Sequence, residues 1–169
     1  YGLSAIKSIG RPVVECIVAE RNLGGAFKSL TDFIERMSGK EVNKKSLENL
    51  IKAGALDSLG GNRQQYMMAY GSIMDSVAQS RTGQMSLFDL VDEEEKEHFK
   101  IQLPKVEEYK KELVLSFEKE VLGVYISGQP LEEYEERWRK NITAVTTDFQ
   151  LDEETNKSRV RDGELVIIG

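Results

Sequence analysis

At 169 residues, 40% of them hydrophobic and 31% charged, the chain has enough apolar material for the core of one domain or one and a half, under a charged, helix-rich surface. No stretch approaches the ~18 consecutive apolar residues of a membrane span, and the single cysteine, Cys16, excludes an internal disulfide and suits a reducing compartment. A net charge of −6 argues against a uniformly basic nucleic-acid binder, but the charge is uneven: residues 1–66 carry a local +3 and residues 67–169 a local −9. A polyanion is favoured against the first part, protein or solvent against the second.

In chain order, Leu3, Ile6 and Ile9 recur at helical spacing and predict a short helix ending at Gly10. Pro12 falls in the first turn of the next helix, where its missing N–H costs nothing. Val13, Val14, Ile17 and Val18 give that helix an apolar face, and Gly24-Gly25 ends it. Ser29 with Asp32 resembles a capping box, before a face of Leu30, Phe33, Ile34 and Met37 that Gly39 closes. Asn43 is a good N-cap for a helix over residues 44–52. Asn62 is one for a helix of about five turns bearing Tyr66, Met67, Tyr70, Ile73, Met74 and Val77. From Ser80 to Leu103 the pattern breaks. Thr82-Gly83, Gln84-Met85-Ser86-Leu87-Phe88 and the acidic run Asp92-Glu93-Glu94-Glu95 read as an exposed linker carrying a short apolar peptide. Pro104 restarts helix, with Val106, Tyr109, Leu113, Phe117 and Val121 on its apolar face. Ser127-Gly128-Gln129-Pro130 is a turn, and Leu131, Tyr134 and Trp138 mark a short helix. Beyond Asn141 the chain reads as extended, and Asp162-Gly163 turns into a strand over 164–168.

The fold class expected is therefore mainly α: a helical bundle over 1–80, a linker over 81–103, a further helical segment over 104–141 and an extended segment over 142–169. An opening on Tyr1-Gly2-Leu3 with no initiator Met, and a last strand with no visible partner, lead us to expect a piece of a longer chain.

Two stretches share one plan. Ile6-Lys7-Ser8-Ile9-Gly10 leads into Arg11-Pro12, and Ile51-Lys52-Ala53-Gly54-Ala55-Leu56 leads to Gly60-Gly61-Asn62-Arg63. Each brings Ile-Lys to a glycine turn, where φ > 0 carries no steric cost and the chain reverses. The helix that follows then offers unpaired N–H groups and the positive end of its dipole, an anion site that suits a DNA phosphate. This is a helix-hairpin-helix arrangement, present twice. Candidate DNA-binding residues are Lys7, Ser8, Ile9, Gly10 and Arg11 at the first turn, and Lys44, Lys45, Lys52, Ala53, Gly54, Ala55 and Arg63 around the second. Amides near Ile9, Gly10, Gly54 and Ala55 would hold phosphates, while Lys7, Arg11, Lys44, Lys45, Lys52 and Arg63 add screened charge. Such contacts position a duplex without reading its bases.

In the linker peptide, Gln84 can hydrogen-bond at a pocket rim while Leu87 and Phe88 fill an apolar pocket. Gln84, Met85, Ser86, Leu87 and Phe88 are thus candidate docking residues on a tether, the alternative being a frayed helix end packed on the bundle. Nothing else is reactive. His98 is the single histidine and sits among acids, Cys16 falls on an apolar helical face, and no zinc cluster, nucleophilic triad or Gly-x-x-x-x-Gly-Lys loop occurs. No catalytic or metal-binding residue is assigned.

Longer ordered matches go further. Tyr1-Gly2-Leu3-Ser4-Ala5-Ile6-Lys7, Phe27-Lys28-Ser29-Leu30-Thr31-Asp32-Phe33, Asn43-Lys44-Lys45 and the run from Leu50 to Gly60 resemble the C-terminal half of the bacterial replicative DNA polymerase III α subunit. So do Glu118-Lys119-Glu120-Val121-Leu122-Gly123-Val124-Tyr125-Ile126-Ser127-Gly128 and Pro130-Leu131. The resemblance implies a tandem helix-hairpin-helix module over 1–80 that grips duplex DNA behind the polymerase site. It also implies a sliding-clamp-binding motif at Gln84–Phe88 and the start of an OB-fold domain near 164–168. The family's catalytic aspartates lie upstream, so this segment would not polymerise, while the parent would use Mg2+ and deoxynucleoside triphosphates in the bacterial cytoplasm. The partners implied are duplex DNA, the β clamp and the rest of the polymerase chain, with no membrane. Two positions depart from the family: Gln129 replaces a histidine, and Ser8 stands where the first hairpin glycine is usual, which weighs against φ > 0 there. Rival readings are a helix-hairpin-helix scaffold of a repair or recombination protein and a pure protein-interaction module.

Overall fold

The computed structural model describes residues 2–81, 102–151, 157–161 and 163–168. The Gln84–Phe88 peptide, the acidic run and His98 lie outside the described residues. Among the described residues there are six α-helices and no strand: α1 (Arg11–Gly24), α2 (Leu30–Met37), α3 (Lys44–Lys52), α4 (Arg63–Arg81), α5 (Lys111–Leu122) and α6 (Glu135–Arg139). Single 3-10 turns lie at Leu3–Ala5, Asp57–Leu59, Glu132–Tyr134 and Thr146–Phe149. Among the described residues no helix is long and apolar enough to cross a membrane.

The helix starts follow from local chemistry. Ser29 Oγ accepts the Asp32 amide at 3.1 Å, and Asp32 returns the favour one residue early, taking the Lys28 amide at 2.8 Å. Asn43 Oδ1 accepts the Ser46 amide and Asn62 Oδ1 the Gln65 amide, each at 2.8 Å. These caps satisfy amides that a helix start leaves without a partner.

Two compact units divide the chain, Tyr1–Ser127 and Gly128–Gly169. In the first, α3 packs against α4 and α5, and α2 packs against α1 and α4. Leu47, Leu50 and Ile51 of α3 are buried among Leu30, Phe33, Ile34 and Met37 of α2, Tyr66 and Ile73 of α4, and Val121 of α5. Burial of each such side chain contributes roughly 1.5–3 kcal/mol, which holds the helices to one core. The second unit keeps the Glu132–Tyr134 turn and α6 together. Its only pairing in extended backbone among the described residues is a single parallel bridge, Ala144 to Ile168, with the Thr143 amide donating to the Ile167 carbonyl at 3.0 Å.

Four expectations are corrected. The apolar run Leu3, Ile6, Ile9 makes a 3-10 turn rather than a helix, because the chain reverses at Ser8. Pro104 does not restart helix. Residues 102–110 are irregular, since the Pro104 and Val106 carbonyls accept the Gln65 and Asn62 side-chain amides, tertiary bonds that a helix there would not make. α5, expected in a separate segment over 104–141, belongs to the first unit. Over 164–168 the described residues form no strand: among them a single bridge, Ala144 to Ile168, is all that pairs there.

Candidate nucleic-acid interface

The two turns lie side by side. Leu3 and Ile6 from the first and Ala53, Gly54 and Ala55 from the second line one cleft of about 250 Å3, closed by Leu122 and Ile126. They differ in what they leave open.

At the first turn, Ile6 and Ile9 are buried anchors and Lys7, Ser8, Gly10 and Arg11 are exposed between and after them. The reversal falls on Ser8, whose φ is +65°, the only positive φ on a non-glycine among the described residues. This corrects the expectation that serine weighs against left-handed geometry. Gly10, expected to be the reversal, is extended at φ −77° and ψ 164° and is the N-cap of α1, with no side-chain cap. The Ile9 amide, expected to face a phosphate, donates to the Ile6 carbonyl at 3.1 Å. The Gly10 and Arg11 amides have no acceptor among the described residues, and the first bond into α1 is Val14 N–H to Gly10 C=O at 3.3 Å. The start of α1 is therefore a set of outward donors at the positive end of a 14-residue helix. Arg11 reaches Glu15 at 2.7 Å, but both side chains are mostly in solvent, and such a pair contributes little.

The second turn is closed. Gly54 takes the expected left-handed φ of +73°. However, the Ala53, Gly54 and Ala55 amides each donate at 3.0 Å within the chain, to the Asn49, Ile51 and Leu50 carbonyls. At the start of α4 the Glu108 carboxylate accepts the Arg63 amide at 2.8 Å and the Gln64 amide at 3.2 Å. An anion of the chain's own thus sits where a phosphate was expected.

The charges of that turn are neutralised as well. Lys52 Nζ lies 3.0 Å from Glu48 and 3.1 Å from Glu120. Burial would push the Lys52 pKa down, and these two carboxylates instead hold it above its ordinary value. Arg63 is 5% exposed. Its guanidinium spans Asp57 (2.9 Å), Glu118 (3.0 Å) and the Lys52 carbonyl (3.2 Å). Glu118 has no exposed surface and accepts the Ile126 amide at 2.7 Å, the Ser127 amide at 2.9 Å and the Ser127 hydroxyl. Burial raises its carboxyl, but the Ser127 hydroxyl and amide, the Ile126 amide and Arg63 outweigh that and keep it below the usual carboxylate range. The amides of Ala53, Gly54 and Ala55 and the charges of Lys52 and Arg63, all expected to face DNA, are thus engaged within the chain. Lys44 and Lys45 stay exposed on α3, paired with Asp75 (2.8 Å) and Glu48 (3.3 Å). Sequence reading missed Asp57, Glu108, Glu118 and Glu120. One signal was available: Glu118 lies four residues after Val114 and three before Val121, inside an apolar stripe.

The residues 1–66 match the helix-hairpin-helix motif family. Over most of its length the chain is similar to proteins named DNA polymerase III subunit alpha. The relative from Vibrio cholerae is 39% identical over 87% of this chain and 13% of its own length. That from Borreliella burgdorferi is 38% identical over 79% of this chain and 12% of its own. That from Campylobacter jejuni is 34% identical over 100% of this chain and 14% of its own. The chain thus spans about an eighth of the curated relatives it matches.

Proposed function

The chain belongs to the DNA polymerase III alpha-subunit family, and from that premise we propose that it is a non-catalytic segment that holds duplex DNA, regardless of sequence, through its first hairpin. The observation that carries this is the start of α1, which has no side-chain cap and whose Gly10 and Arg11 amides have no acceptor among the described residues, beside exposed Lys7 and Ser8. A backbone phosphate accepts those two N–H groups, and the Lys7 and Arg11 side chains offset the charge of its neighbours. No base edge is read, so the contact moves with the enzyme along any sequence. The second hairpin frames the first.

The same reading gives Gln84–Phe88 the task of docking on the ring-shaped β clamp, which keeps the polymerase on its template. The longer protein is then a DNA-directed DNA polymerase of the bacterial cytoplasm that uses Mg2+ and deoxynucleoside triphosphates. What supports these parts is the sequence motif and the family, not the geometry of the turns.

Fluorescence anisotropy with a labelled duplex, titrated across a KCl series, tests the DNA contact. Affinity should fall steeply with salt, and Lys7→Gln with Arg11→Gln should weaken binding about five- to tenfold and flatten the salt dependence by about 0.9 for each phosphate lost. Lys52→Gln should stay within about twofold of the wild type, since its charge is already spent on Glu48 and Glu120. Salt-independent binding, or no effect at Lys7 and Arg11, would defeat the proposal.

A further inference from the structure

A serine held at φ +65° needs something to hold it, because its Cβ meets the backbone there in a way that glycine avoids. The two peptide groups that flank Ser8 are both tied. The group after it is fixed by the Ile9 amide, which donates to the Ile6 carbonyl at 3.1 Å. The group before it is fixed by Asn49, whose Nδ2 donates to the Lys7 carbonyl at 2.7 Å from 42 residues away. One peptide further back, the Lys7 amide donates to the Val121 carbonyl at 2.8 Å.

Asn49 is otherwise out of place. It lies on α3 and is 1% exposed, between core residues Leu47, Leu50 and Ile51. Its Oδ1 has no partner among the described residues. A half-satisfied amide in a hydrophobic core is unfavourable, so the bond from its Nδ2 to the Lys7 carbonyl, the one side-chain bond it makes among the described residues, is what offsets its burial. That bond reaches from the helix of the second hairpin to the backbone of the first.

We propose that Asn49 is a positioning residue for the first hairpin: by anchoring the Lys7 carbonyl it holds Ser8 in the left-handed conformation, and so keeps the Gly10 and Arg11 amides aimed outward at a phosphate. The inference rests on the DNA-holding reading above and deepens it.

The test uses the whole 169-residue chain and compares wild type, Asn49→Leu, Ser8→Gly and the double variant. Duplex affinity is read by anisotropy across the KCl series, and folding by thermal unfolding. Asn49→Leu fills the same space without a donor, and should weaken binding about fivefold and flatten the salt dependence by about one phosphate contact. Ser8→Gly, at a position within the proposed contact, sets the reference affinity against which the double variant is read. The double variant should recover to within about twofold of Ser8→Gly, because glycine adopts the turn without help. Asn49→Ser, smaller and too short to reach Lys7, takes the place of Asn49→Leu if that variant unfolds, and should show the same loss and the same rescue. A residue that only stabilised the core would not be rescued from position 8, so loss without rescue overturns the proposal, as does no loss at all. If neither wild type nor Ser8→Gly binds duplex, the DNA-holding reading falls and takes this inference with it. Binding by both, with Asn49 inert, removes the inference alone.

Discussion

Glu118 concentrates the cost and the benefit of burying a charge. It has no exposed surface, and its oxygens take two amides, a hydroxyl and the Arg63 guanidinium. Such a pair adds little beyond what apolar side chains of the same volume would, but breaking it leaves the buried Arg63 with only the half-exposed Asp57 and the Lys52 carbonyl to offset its charge, at a cost of about 3 kcal/mol. Glu118→Ala should lose that much in urea unfolding. The pH dependence follows from the direction of the shift. The folded-state pKa lies below that of the unfolded chain, so the stabilisation is fully present above the unfolded value, about 4.3, and is lost as pH falls through the folded value. Unfolding free energy measured between pH 7 and pH 2 should fall on the acid side, and Glu118→Gln should remove part of that fall while lowering stability near neutrality. An unchanged acid limb in Glu118→Gln would mean that this carboxylate is not the group responsible.

At the scale of elements, two left-handed glycines contrast. Gly54, at φ +73°, ends α3; a Cβ there would meet Arg63, with Cζ at 2.7 Å, and Asp57 Oδ2 at 2.8 Å. Gly60, at φ +84°, faces open space. Gly60→Ala should cost only the backbone strain of about 1–2 kcal/mol, whereas Gly54→Ala adds displacement of a buried arginine and should cost about 3 kcal/mol or more. Thermal unfolding of the two variants separates a conformational need for glycine from a packing need. Loss of DNA binding in Gly54→Ala would then report a disturbed frame rather than a missing phosphate contact. The caps Ser29, Asn43 and Asn62 were legible because each acts within three residues. The region after Pro104 was misread because its carbonyls and Glu108 are claimed by the start of α4, 39 to 45 residues away.

For the whole molecule, the two proposed contacts depend on different stretches, so they should separate. Leu87→Ala with Phe88→Ala should abolish retention on immobilised β clamp yet leave duplex affinity within about twofold, because truncating two apolar anchors removes what fills a docking pocket and touches no charge. Parallel loss of both would mean that the peptide is part of the DNA-binding fold. Family, helix content, caps, the placing of both hairpins and the left-handed Gly54 were written in the sequence by itself, because periodicity, capping and turn chemistry act over a few neighbouring residues. Which hairpin remains open was decided only by the tertiary structure. In the second, the turn amides are met by nearby carbonyls of α3, but the amides that start α4 and much of the charge of Lys52 and Arg63 are met by Glu108, Glu118 and Glu120, 45 to 68 residues away along the chain, while Asn49 pins the first from 42 residues away. A bare amide is defined by the absence of a partner, and partners that distant are chosen by packing of the whole core, not by any local pattern.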